Sequence, residues 1–345
     1  MTTPAWSERV TPDESARFER MAAQLRAIQH KRNAGGPPRR GLHAKAVAAA
    51  TGTLTPAADL PAWAAVGVFA QPEPVRALVR FSNGSGAAQA DPVPDVRGLA
   101  VKLVGVPGKK LIPGLQDAMT QDFLAILTQT MPFETPDAFV GLVRALAGPK
   151  ILALPRLILA LGLKNFGPTL KTLQAGLARP VPSLAEVPFY TPTPIRWGDA
   201  AVKFMFEPLP SPAPSGLVQA DHPERLGLDL AARLRAGPLA WAMKVQPWVD
   251  EARTPIEDVR VLWDPAVSLW VTVARLELPQ QDLSSPAAQD RAARVERLSF
   301  DPWHAPEAFR PLGAMMRARG PAYRESVLER GTDAEPTGQE AWLTG

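Results

Sequence analysis

Apolar and polar positions alternate with different periods in successive parts of the chain. Phe18, Met21, Ala22, Leu25 and Ile28 recur at helical spacing. Thr11-Pro12-Asp13-Glu14 ahead of them has the order of a helix start, with Thr as cap, Pro in the first turn and Glu after it. This predicts an amphipathic arm, closed by Gly35-Gly36-Pro37-Pro38. The period then shortens. Val66 to Phe69, Val75 to Phe81, Leu99 to Leu103, Ala201 to Phe206 and Leu269 to Leu276 read as strands, separated by turn chemistry such as Asn83-Gly84 and Pro92 to Pro94. Pro136 to Ala178 is a Leu- and Ala-rich helical region, and Pro306 to Arg330 is helical again. With no internal repeat and no evident linker, one α+β domain is expected, with an N-terminal helical arm over 1–35, a body over 36–331 and a tail over 332–345.

Composition narrows the picture. Apolar residues make up 46% of the 345 positions, enough for a sizeable core. Proline (38) and glycine (25) are frequent, and with nine tryptophans this suggests short elements joined by ordered connections rather than disorder. The net charge of +4 is too mild to imply nucleic acid as a partner. The absence of cysteine excludes disulfides, thiolate zinc sites and a thiolate-ligated haem. The first residues lack a signal-peptide layout, and the longest apolar stretch, Ile151 to Leu163, is interrupted by Pro155 and Arg156. A cytoplasmic protein without a membrane-spanning segment is expected. The stretch could pack as a hydrophobic helix pair, line a channel for an oily substrate or touch a membrane surface.

Candidate chemistry gathers in three places. The chain has two tyrosines, and Tyr323 stands four residues after Arg319 and seven before Arg330. On a helix these spacings put the phenol and both guanidinium groups on one side. An arginine beside a phenol favours the phenolate, the form that binds ferric iron. Of the four histidines none has a companion at metal-ligand spacing. His43 lies in Arg40-Gly-Leu-His43-Ala-Lys45; His30 sits among basic residues, His222 in a turn, and His304 after Trp303 as a packing or capping group. The third place is Arg80-Phe81-Ser82-Asn83-Gly84-Ser85-Gly86, followed by Asp95-Val-Arg97-Gly98-Leu99-Ala100-Val101-Lys102. It matches neither a hydrolase elbow nor a phosphate loop and reads as strand, turn, strand.

Taken in order, these blocks resemble the catalase superfamily in its short form, the catalase-related haem peroxidases. Catalases carry Arg-x-x-His-Ala-Lys, then Arg-Phe-Ser, then Asp-x-Arg-Gly-Phe-Ala-Val-Lys; here these stand at 40–45, 80–82 and 95–102, with Leu99 in place of Phe. Phe300-Asp-Pro-Trp303, Pro311 to Arg317 and Arg319-x-x-x-Tyr323 resemble the region that supplies the iron ligand. The likeness runs over roughly residues 36 to 331.

The resemblance implies an antiparallel β-barrel core of catalase type with surrounding helices, binding haem b. It implies Tyr323 as the ligand of the iron, Arg319 as the arginine that holds the phenolate, and Arg40, Arg80 and Arg330 as partners of the haem propionates. It implies His43 as the group that moves a proton between the peroxide oxygens and Ser82 as the residue that orients it. The implied activity is that of a peroxidase with weak catalase activity, cleaving hydrogen peroxide or organic hydroperoxides. A fatty-acid hydroperoxide isomerase or lyase and a non-catalytic haem-binding protein are the alternatives. Implied partners are peroxide and a small-molecule or lipid substrate, with a homo-oligomer left open.

One departure matters. Catalases place an asparagine beside the peroxide, after the Ala-Val-Lys strand. The asparagines here are Asn33, Asn83 and Asn165, none in that stretch. Anchoring on Pro132 puts Gln129 there, whereas anchoring on Asp122 puts Ile126 or Leu127 there. The loss shifts the expectation from catalase toward peroxidase. Leu42 before His43 departs from the threonine of allene oxide synthases.

Overall fold

The computed structural model describes residues 6–177, 180–211 and 218–343. The last residue of the expected helical region, Ala178, lies outside them, as do the two ends of the chain.

The strands are β1 (Ala46–Pro56), β2 (Val75–Asn83), β3 (Arg97–Val104), β4 (Thr120–Ile126), β5 (Phe189–Tyr190), β6 (Ile195–Trp197), β7 (Ala200–Pro208), β8 (Leu239–Pro247) and β9 (Val271–Leu278). They pair in the order β5-β4-β3-β2-β1-β9-β8-β7-β6, all antiparallel. A further pairing of β5 with β7, Phe189 opposite Phe206, closes the ring. The result is the antiparallel barrel that the resemblance implied, with eight strands and β6 as a short extension. Closure removes the exposed edges that an open sheet would leave.

Alternation along each strand separates two faces. On β2, Ala77, Val79 and Phe81 point inward, into a core with Leu99, Val101, Phe123 and Ala125. Aromatic rings fill this interior: Phe69 lies 4.5 Å from Trp197, and Phe123 meets Phe204 edge-on at 5.5 Å. Leu78 on the outward face of β2 packs in a different cluster, with Val295 and Phe300. Arg80 and Ser82 follow at two-residue spacing, so they share the outward side with Leu78.

Helices lie around the barrel. They are α1 (Glu14–Asn33), α2 (Pro136–Ala147), α3 (Ala153–Leu177), α4 (Arg225–Ala236), α5 (Pro286–Arg297) and α6 (Ala314–Arg330). Phe18 and Met21 of α1 are buried with Val140 of α2 and Ala318 of α6, the apolar stripe read from the sequence. Helix α1 starts at Glu14, with Asp13 rather than Thr11 at the cap. Two helix starts follow standard chemistry: Thr135 and Ser285 each accept from the backbone N–H three residues on, with proline next in the chain.

Several elements differ from the sequence reading. Gly67–Phe69 is a 3-10 turn rather than a strand, because Gly67 takes a positive φ of 53°. The Ala- and Thr-rich β1 carries no large apolar alternation, yet it stands between β2 and β9. Among the described residues, no helix is long and apolar enough to cross a membrane.

Candidate active site

The outward face of the β1–β4 wall carries the first half of the site. The chain before β1 continues its pairing with β2 irregularly: His43 N–H donates to Gly84 O at 3.0 Å, Ala44 N–H to Ser85 O at 3.0 Å, and Asn83 N–H to Lys45 O at 3.2 Å. These bonds hold His43 at φ 53°, a left-handed conformation uncommon outside glycine. Arg80 Nη2 also donates to His43 O, at 2.9 Å. The imidazole Nδ1 lies 2.9 Å from Ser82 Oγ. The ring stays partly accessible although it is set deep in the protein.

Cross-strand register explains what else surrounds the ring. Ser82 is opposite Gly98, and Gly98 is opposite Ile126. Directly opposed residues of antiparallel strands present side chains to the same face. A Cβ on Gly98 would meet His43 Cε1 and Nδ1 at 2.7 Å and Ser82 Oγ at 3.0 Å, so the imidazole occupies space that only glycine leaves free. By the same register Ile126 faces the side on which His43 sits, while Gln129 lies beyond the end of β4. Register thus puts an apolar residue, rather than an amide, opposite Gly98 on the face that carries His43.

Burial, followed by the charges of Arg80, Arg319 and Arg40, pushes the His43 pKa down to about 3. The ring is neutral at pH 7. The same field ties the two halves of the site together, because Arg40 senses both Arg80 and Tyr323.

The second half lies on α6. Arg319 Nη2 donates to Tyr323 Oη at 2.7 Å, and its guanidinium carbon sits 5.2 Å from the centre of the tyrosine ring. The other Arg319 terminal nitrogen lies 3.4 Å from Met316 Sδ. Helix α6 begins at Ala314 after Gly313 (φ 85°) and runs through Pro321. Arg319 and Tyr323 are thus i and i+4 on one helix, the spacing at which side chains meet.

Arg40, Arg80 and Arg330 converge on α5. Arg40 pairs with Glu296 and donates to Leu298 O at 2.8 Å; Arg80 Nε donates to the other Glu296 oxygen at 2.8 Å. Arg330 donates to the carbonyls of Glu296 and Leu298, both at 3.1 Å, and its buried Nε has no partner. Burial would raise the Glu296 carboxyl, but the Arg80 and Arg40 charges outweigh it and the net shift is downward. Burial likewise works against the charges of Arg40 and Arg330 and lowers both.

The sequence-predicted residues are therefore all found in two clusters, linked through the arginines. Sequence reasoning assigned no role to Gly98 or Glu296. Gly98 stood inside a quoted motif without a visible reason. Glu296 looked like one more solvated charge on an amphipathic helix. The other motif residues serve the fold: Arg97 donates to Asp91 O and Val93 O, and Lys102 pairs with Asp122 at 2.7 Å and Glu335 at 2.6 Å. His304 is fully buried, with its Nδ1 3.6 Å from Asp122 and 3.7 Å from Glu335.

Comparison with known proteins agrees with the fold. No family model matches the chain. A catalase-related peroxidase of Mycolicibacterium paratuberculosis is 29% identical over 340 residues, covering 90% of this chain and 97% of that relative. A fungal catalase structure superimposes with a TM-score of 0.68 at 16% identity, over 98% of this chain and 69% of that one. A bacterial catalase gives 0.66 at 17%, over 99% and 66%, and catalase A of Saccharomyces cerevisiae gives 0.67 at 14%, over 98% and 69%. The chain has the catalase fold and spans about two thirds of these solved catalases.

Proposed function

We propose that this chain, a catalase-related protein of the catalase superfamily, is an oxidoreductase acting on peroxide, a haem peroxidase with at most weak catalase activity. The observation that carries the proposal is the pairing of Arg319 with the Tyr323 phenol at 2.7 Å, within one arginine field that also includes His43.

The donor set suits a ferric haem b. Tyr323 would ligate the iron as a phenolate, held by the Arg319 charge. Arg40, Arg80 and Arg330 would hold the propionates; the unpartnered Nε of Arg330 is a buried donor in want of an acceptor. Two propionates together with Glu296 would balance the three guanidinium charges. Bound haem supplies the iron and the electrons for breaking the O–O bond.

His43 handles the proton. With Nδ1–H donating to Ser82 Oγ, its Nε2 is the free base, and the depressed pKa keeps it so at neutral pH. It would take the proton of one peroxide oxygen and return it to the other, which, with two electrons from bound haem, would leave as water from hydrogen peroxide or as an alcohol from an organic hydroperoxide. Ser82 fixes the ring, and Gly98 gives it room. Ile126 offers no amide to a second peroxide, which disfavours disproportionation and suits an organic hydroperoxide or a separate reductant.

Reconstitution with hemin tests the reading. The protein is expected to show a tyrosinate-type haem spectrum that Tyr323→Phe abolishes, and dye oxidation by peroxide well above oxygen evolution. A wild-type protein that takes up no haem overturns the proposal. Haem uptake with neither dye oxidation nor oxygen release would leave a haem-binding protein, and consumption of a lipid hydroperoxide without reductant would point to an isomerase.

A further inference from the structure

The surface around α2 and α3 is unlike the rest of the molecule. From residue 138 to 185 the chain contains Arg144, Lys150, Arg156, Lys164, Lys171 and Arg179 and no Asp or Glu. Elsewhere, several helix-surface arginines pair with carboxylates: Arg26 with Glu325, Arg294 with Asp290, Arg324 with Glu19. Among the described residues, Arg144, Arg156, Lys164 and Lys171 make no ion pair.

The same surface is oily. Ile151, Leu159 and Leu163 are 86%, 86% and 85% exposed, more than any other large apolar side chain described. Leu146, Leu152, Leu154 and Leu170 are exposed beside them. These are not core residues turned out by chance, because α3 has its own buried side. Leu161 is buried in a cluster with Phe133 and Met315, and Phe166 and Leu173 pack against it. Gly162, at φ 72°, bends α3 between Leu159 and Leu163. Isolated exposed leucines need no explanation, but a run of them interleaved with unpaired cations does.

We propose that the exposed face of the α2–α3 hairpin lies on the surface of an anionic phospholipid bilayer, leucines in the acyl boundary and cations at the phosphates. The one carboxylate of the hairpin, Asp137 in the first turn of α2, faces Arg17 at 3.7 Å; beyond it, basic residues interleaved with large aliphatics are the composition of helices that rest in the membrane interface. Among the described residues no helix is long and apolar enough to cross a membrane, and α3 is bent at Gly162, so the contact is peripheral. A second copy is the weaker occupant. A symmetric contact would set these cations against their own images, with no carboxylate of the segment to offset them. The inference is independent of the haem chemistry.

Vesicle flotation of the full chain tests it. Vesicles of equal phosphatidylglycerol and phosphatidylcholine should bind the protein, and pure phosphatidylcholine should bind at least about tenfold more weakly. Lys164→Gln with Lys171→Gln should weaken binding to the anionic vesicles by about 30-fold, from the usual contribution of each charge. Leu159→Ser with Leu163→Ser should weaken it by at least about tenfold through lost apolar insertion. Circular dichroism checks that both variants stay folded. Equal binding to both vesicle types, no binding to either, or double variants that bind like wild type would overturn the proposal. A dimer that the leucine variant dissociates, without vesicle binding, would assign the face to a second copy. Capture by polyglutamate but not by vesicles would assign it to an acidic protein.

Discussion

His43 and Tyr323 share one ring of arginines but are held by different physics. His43 is fixed by the barrel: backbone hydrogen bonds to Gly84 and Ser85 frame it, Ser82 and Gly98 on paired strands bound its ring, and its surroundings are largely desolvated. Tyr323 is carried by a helix held at the surface. Helix α6 is tied to α1 by Arg26 to Glu325 and Glu329, Arg324 to Glu19, and Arg317 to Glu14, and its N-terminus is tied to Glu8 and Glu257. Strand pairing places atoms to a fraction of an ångström and tolerates no added volume. Charge pairs at a helix surface are looser and respond to salt. The proposed proton-transfer side should therefore be sensitive to shape, and the proposed iron-ligand side to charge.

The largest contrast should come from His43→Ala. Loss of the proton carrier is expected to lower peroxide turnover by about 10²–10⁴-fold while hemin binding is retained. Steady-state dye oxidation beside a hemin titration checks it, and an equal loss of haem would break the comparison. Next comes Gly98→Ala, a single methyl group on the barrel wall. Its Cβ would fall 2.7 Å from the imidazole, and displacing the ring by roughly an ångström should cost about 100-fold in turnover. On the helix side, Arg319→Gln keeps the volume but removes the charge beside Tyr323. Activity should fall by about 10–100-fold, with a change in the haem spectrum that Gly98→Ala does not produce.

Smaller effects separate the halves by solution conditions. The folded pKa of His43, about 3, lies below the ordinary histidine value of 6.5, so the unfolded chain binds the extra proton first. This group therefore destabilises the apoprotein progressively as pH falls from about 6.5 toward 3, and contributes nothing to the pH slope above that window. In urea titrations His43→Phe should flatten the slope there; an unchanged slope would mean that the ring is not desolvated. Smallest of all, roughly 1 M salt should loosen α6 more than the barrel, raising hemin dissociation a few-fold by screening the exposed α1–α6 pairs Arg26–Glu325 and Arg324–Glu19.

How much of this was legible in the chain follows from distance along it. Arg319, Tyr323 and Arg330 could be read as one face because helical spacing is local. The hairpin containing Ser82 announced itself through Asn83-Gly84 and the strands on either side. By contrast, β1 was silent, because Ala-Val-Ala-Ala-Ala-Thr-Gly carries no apolar alternation and is a strand through its neighbours β2 and β9. Gly67 replaced a predicted strand by a turn. The choice among Gln129, Ile126 and Leu127 could not be made by counting from either anchor, and it is a matter of β3–β4 register.

The sequence by itself determined the chemical inventory: two tyrosines, no cysteine, a histidine and a serine in recognisable settings, and a helix that repeats its arginines around Tyr323. Only the tertiary structure decided which atoms meet. It set His43 into the space left by Gly98, put an isoleucine on the wall beside it, and brought Glu296 to arginines from three other segments. The physical reason is that these neighbours are far apart along the chain. Cross-strand register and barrel closure, which depend on all the strands together, bring them into contact, and no local pattern encodes that.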